Sequence, residues 1–192
     1  MYFQHLRIFL LFCLLAILMP FMCIGHGFRG NAALEQEFQY ALRLLSAFKN
    51  DSAHHVLCGI LDELSQSNEL NTPFGLQVRL RDAEALEKEH QDEKAIKQLL
   101  LLVEDARNHR QWDVLSNAHL SLARLHEKMD RMKPCQQALK RAARFIKMHK
   151  LANIYPRLCI RQSSYYRLFG KKEFGHVFCT GSNSNSSQSR SV

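Results

Sequence analysis

Sliding the sequence along itself by 40 residues lays His90-Gln91-Asp92 on Asp130-Arg131-Met132, and those in turn on Gly170-Lys171-Lys172. Upstream of these segments, side chains of one kind recur in step: Val78, Ala118 and Leu158, then Ala83, Ala123 and Ser163, then Leu86, His126 and Tyr166. Downstream of the first two, Ala95 matches Cys135, Leu99 matches Leu139 and Leu102 matches Ala142. Small positions stay small and large ones stay large, as they must when one packing environment is built repeatedly. A chain with this period has few folds open to it, because each unit must lean on the next to bury its apolar face.

Within a unit the apolar spacing is helical. Leu115, Ala118, Leu122 and Leu125 mark a first helix, and Cys135, Ala138, Leu139, Ala142 and Ile146 a second. Helix breakers are scarce, with 8 Gly and 4 Pro in 192 residues. Thr72 before Pro73, Asp92 and Pro134 supply start signals. Phe38, Ala41, Leu42, Leu45 and Phe48, then Val56, Leu57, Ile60, Leu61 and Leu64, predict an earlier hairpin with a less regular offset. The expected fold is all-α: stacked antiparallel helical hairpins, about three and a half of them, ending with a helix at Ile154 to Phe169.

The small residue at Ala83, Ala123 and Ser163, the large one three later at Leu86, His126 and Tyr166, the turn, and then Ala95 or Cys135 followed by Leu99 or Leu139 together resemble the tetratricopeptide repeat. The 40-residue variant behind an export segment is similar to the extracytoplasmic sensor regions of bacterial signalling proteins, notably those of Bacteroidetes type. The resemblance covers residues 34–175. It departs from the family at Arg79, His119 and Cys159, where an aromatic is usual, and at Asp82 and Gln162, where Leu is usual. What it implies is a short superhelix with a groove lined by the first helix of each hairpin, where an extended peptide or a partner helix docks. By position the lining comprises Gln77, Glu84, Asn117, Arg124, Arg157, Ser164 and Arg167. Arg124, Arg157 and Arg167 would grip carboxylates through paired N–H donors, and Asn117 would hold a peptide backbone. The competing expectation for each is a solvated polar face carrying little energy. After Lys172 the second helix of the last unit gives way to Glu173-Phe174-Gly175-His176. That unit reads as unfinished, which favours self-association or a partner at the last helix.

The two ends read as separate objects. Residues 1–27 run from a polar start with His5 and Arg7 through an uncharged apolar stretch, Ile8 to Ile24, to Gly25 and Gly27. That is the pattern of a cleavable signal peptide or, at the short edge of what crosses a bilayer of roughly 30 Å, an N-terminal membrane anchor. Either places the body of the protein outside the cytoplasm or against a membrane. Residues 180–192, nearly all Ser, Asn, Gly, Thr and Gln, carry too little apolar area to offset the entropy of ordering and are expected to stay disordered.

Charge is unevenly spread. Twelve Lys or Arg and no acid lie between Arg131 and Lys172, whereas Asp82 to Asp113 holds nine acids. Lys140, Arg144 and Lys147 fall on one helical stripe, with Arg141 and Lys150 near it. This basic patch supports an alternative function, binding to an anionic lipid surface or nucleic acid, and export argues against nucleic acid.

Catalytic and cofactor chemistry finds no signature. HExxH, a glycine-rich phosphate loop and Gly-x-Ser-x-Gly are all absent. Beyond the export segment, Cys58, Cys135, Cys159 and Cys179 show no CxxC spacing, and no metal site is expected. Cys135 and Cys159 would sit roughly 12 Å apart in height on antiparallel helices, too far for a disulfide. His54 and His55 point about 100° apart, and His126 takes a position held by Leu86 and Tyr166 in the sister units, so core packing is its expected role. The chain reads as a non-catalytic scaffold for a protein or peptide partner, needing no cofactor.

Overall fold

A computed structural model describes residues 32–169, all of its regular structure helical. The export segment expected over 1–27, the turn at Gly170, the residues after Lys172, Cys179 and the tail expected over 180–192 lie outside the described residues. Seven helices follow one another: α1 (32–46), α2 (Asn50–Gln66), α3 (Pro73–Lys88), α4 (Asp92–Asn108), α5 (Trp112–Lys128), α6 (Met132–Met148) and α7 (Tyr155–Phe169). They form three antiparallel hairpins and a seventh helix on the end. Among the described residues no helix is long and apolar enough to cross a membrane.

The turns explain the regularity. Phe48, Asn68, His90, Arg110, Asp130 and Lys150 all take positive φ, between 52° and 63°. Each stands just past a helix end, and the amide after it reaches back five residues: Gln91 to the Leu86 carbonyl at 2.9 Å, Gln111 to Ala106 at 2.8 Å, Arg131 to His126 at 2.8 Å. This is the Schellman closure, built here without glycine. In the tight turns the same residue then opens the next helix. The carbonyls of Lys49, Gln91, Gln111 and Arg131 accept the amides of Ala53, Ala95, Leu115 and Cys135. One residue therefore ends one helix and starts the next, which fixes their antiparallel set.

Two joints are looser. Before α3 the Thr72 hydroxyl accepts the Gly75 amide at 3.2 Å, the cap that Thr72-Pro73 predicts. Before α7 the chain spends Leu151 to Ile154 in an irregular turn. Two start signals move slightly: Asp92 is the first residue inside α4 and Pro134 lies within the first turn of α6, with Gln91 and Arg131 at the caps.

Neighbouring helices pack in sequence order, and α3 touches α5 as α5 touches α7, whereas α2, α4 and α6 do not meet. The odd layer is thus the tighter one. Two apolar clusters fill the stack, and α3 serves both: Val78 and Ala85 face α1 and α2, while Leu76, Leu80, Ala83 and Leu86 join α4 to α7. The second cluster runs on through Leu115, Ala118, Leu122, Leu125, Leu139 and Tyr165. Trp112 stacks on His149 with centroids 4.2 Å apart, tying the start of α5 to the end of α6.

The stepped positions are buried at Val78, Ala118 and Leu158, at Ala83 and Ala123, and at Ala95, Cys135, Leu99 and Leu139. Ser163 breaks the series and is exposed, since among the described residues nothing stacks beyond α7. The histidines also depart from expectation. His126 is only half-buried, and the one sunk in the core is His119, parallel to Phe145 at 6.0 Å.

Candidate functional site

The odd layer carries a polar face whose members come from three helices. Gln77 of α3 donates to Asp113 of α5 at 3.0 Å, and Asn117 donates to the Asp113 carbonyl at 3.0 Å. Arg157 of α7 donates to the Asn117 side-chain oxygen at 2.7 Å and reaches Glu84 of α3 at 3.4 Å. Glu84 also accepts from Arg81 at 2.6 Å. Arg124 of α5 donates to Glu87 of α3, and the Ser164 hydroxyl of α7 to Glu127 of α5. Six of the seven expected groove residues are thus brought into an internal hydrogen-bond network of three separate groups: one joining Gln77, Asn117, Arg157 and Glu84, and two pairs, Arg124 with Glu87 and Ser164 with Glu127. Arg167 is not; it is exposed farther along α7.

The network changes what these side chains can do. Asn117 has both its amide donor and its oxygen engaged within the chain, so it does not stand ready for a partner's backbone. Glu84 and Glu87 are buried rather than solvated. Burial pushes the Glu87 carboxyl above the usual carboxylate range, against the opposing pull of the Arg124 guanidinium. Arg79 ties α3 to Asp105 of α4 at 2.7 Å.

Between α5 and α7 the face opens into a cavity of about 180 Å³, lined by Leu120, Ser121, Arg124, Arg157, Ile160 and Arg161. Three guanidiniums surround an apolar floor. Two polar atoms there, Arg124 Nε and Ser121 Oγ, are buried without a hydrogen-bond partner. Arg161 stands 4.0 Å from Glu127, at the limit of an ion pair. Ile160 is 59% exposed, a large apolar side chain left facing solvent.

The basic patch lies on the other side of α7. Lys140, Arg144 and Lys147 of α6 rim a second cavity of about 370 Å³ whose floor is Leu139, Ala143, Tyr165 and Tyr166. Arg141 and Lys150 are exposed but do not line it.

Sequence reasoning singled out Arg124, Arg157 and Glu84, but neither Glu87 nor the pairing of Glu84 with Arg157. A signal was present for the contacts between adjacent units, which stand 36, 37 and 40 residues apart, close to the period of the stack, but not for Arg157 and Glu84, which stand 73 apart. It also passed over a cluster at the other end of the molecule, where His54 and Cys58 of α2 meet Asp82 of α3. His54 and Cys58 are four residues apart on one helix, a spacing legible in advance; Asp82 is not, because only the α2–α3 packing brings it there. The thiols of Cys58, Cys135 and Cys159 are free, and burial pushes Cys135 up to about 11.

Compared with known proteins, the sequence matches no family model and no curated protein.

Proposed function

We propose that this chain is a non-catalytic helical repeat scaffold of the tetratricopeptide kind, exported or membrane-tethered, that binds an acidic segment of another protein between α5 and α7. The observation that carries this reading is the cavity with Arg124, Arg157 and Arg161 around Leu120 and Ile160. Guanidiniums with a spare buried N–H suit a carboxylate, which accepts paired donors, and the apolar floor suits the side chain beside it. Arg157 and Arg161 meet acids only at 3.4 and 4.0 Å, and Arg157 spends one N–H on Asn117 at 2.7 Å, so an incoming carboxylate has only weak ion pairs to displace.

The test is fluorescence anisotropy with short peptides carrying Asp or Glu at their last three positions. Saturable binding is expected, weakened tenfold or more in Arg157→Ala with Arg161→Ala, as loss of charge-assisted bonds of about 1.5–3 kcal/mol requires. Equal binding by the double variant, or none by the native chain, refutes it.

A second reading rests on the cavity under Lys140, Arg144 and Lys147, where three cations rim an apolar floor suited to an anionic lipid. Flotation with phosphatidylserine vesicles tests it. Binding should fall steeply with salt and vanish in the triple Glu variant of these residues, and vesicles that leave the native chain behind rule it out.

A further inference from the structure

At the α2–α3 joint three unlike donors converge. His54 Nδ1 donates to Asp82 Oδ1 at 2.6 Å, and the Cys58 sulfur stands 3.7 Å from each ring nitrogen of His54. All three donor atoms lie within 4.8 Å of one another. Asp82 is 1% exposed, a carboxylate sunk between helices. His54 keeps 26% of its side chain open to solvent, so the cluster has a protein side and an open side. The charged groups acting on the Cys58 sulfur are Asp82, Asp62 and Glu89, all acids. Glu89 carries a buried oxygen with no hydrogen-bond partner. The local field therefore favours a cation.

We propose that His54, Cys58 and Asp82 form a binding site for a divalent transition metal, with Zn(II) the best match, that clips α2 to α3 and leaves one coordination position open. One sulfur, one imidazole nitrogen and one carboxylate oxygen are the mixed, borderline-soft set that zinc accepts. Bonds of about 2.0–2.3 Å in a tetrahedron put sulfur and nitrogen roughly 3.5 Å apart, and nitrogen and oxygen roughly 3.3 Å apart. The sulfur–nitrogen spacing is already in place. The nitrogen–oxygen spacing must widen by several tenths of an ångström, which rotation of the half-exposed imidazole supplies. The cation takes the place of the thiol proton, which leaves to solvent, and the neutral imidazole binds through one ring nitrogen while keeping its N–H on the other. Thiolate and carboxylate together cancel both positive charges of the ion, so the loaded site is neutral, and loading is favoured as pH rises.

The experiment titrates the full 192-residue chain, freed of metal, with Co(II) and then Zn(II). Expected are one equivalent of Co(II) with a sulfur-to-cobalt charge-transfer band and tetrahedral visible bands, displacement of cobalt by zinc, and a higher Tm with zinc. Cys58→Ser should abolish the charge-transfer band, and Asp82→Asn should lower affinity at least tenfold. A Tm measured in chelator confirms that each variant folds, and His54→Asn stands in for a variant that does not. The proposal is overturned if the native chain shows no charge-transfer band, if Cys58→Ser keeps it, which would assign another thiol, or if Asp82→Asn binds as tightly as the native chain.

Discussion

His119 is an ionisable side chain in a place that tolerates only its neutral form. It is 1% exposed, stacked on Phe145, and neither ring nitrogen has a partner. Burial, helped by Arg141 and Arg107, pulls its pKa down from the usual 6.5 to about 4. Above pH 6.5 the ring is neutral folded and unfolded, and stability is unaffected. As pH falls from 6.5 towards 4, the unfolded chain takes up a proton that the folded chain refuses, and stability drops, by up to about 1.4 kcal/mol per pH unit. Below about 4 this loss levels off. His119→Leu should flatten that part of the slope, read from urea midpoints of both proteins at pH 7 and pH 4.5. Gly75 is the opposite kind of residue, needed for what it lacks. A Cβ there would lie 2.5 Å from the Glu69 carbonyl oxygen, so Gly75→Ala must push apart the α2–α3 connection, and its Tm should fall well below that of Thr72→Ala, which loses only a cap of about 1 kcal/mol.

At the scale of helices, the hairpins, their order and the last described helix were legible because apolar spacing and a 40-residue step survive any change of surface side chains. The closure of the turns was not. It rests on backbone at positive φ in residues that include Phe48, Arg110 and Lys150, types that carry no turn signal. Glycine adopts that conformation without the side-chain penalty, so Arg110→Gly should stabilise the protein by about 0.5–1 kcal/mol, measured as a rise in urea midpoint with unchanged slope. The candidate site was half legible for a related reason. Position in the repeat picked out Arg124 and Arg157, but whether a polar side chain meets solvent or a carboxylate one unit away depends on how closely the odd helices approach. Glu84 and Glu87 are buried because α3 has neighbours on more than one side.

Across the whole molecule, the acidic middle of the sequence is met in part by cations of later units. Arg124 meets Glu87, Lys128 meets Asp92, Arg131 meets Glu93 and Arg157 meets Glu84, each cation pairing with an acid of an earlier unit. Cohesion is greatest in the centre, since α5 touches α3, α4, α6 and α7 while α7 buries few of its side chains. Hydrogen exchange should therefore be slowest in α5 and markedly faster in α7, with Tyr165→Ala releasing α7 before the rest unfolds. The shared turn residues also bear on how such a chain can lengthen. A step of about 20 residues reverses the chain and moves it to the opposite layer. An inserted single helix would exchange the layers of everything after it, turning the arginine-lined face outward and breaking every ion pair across the joint. An inserted pair restores both direction and layer. Growth by duplication is thus held to even numbers of helices, a parity rule written into three-residue turns.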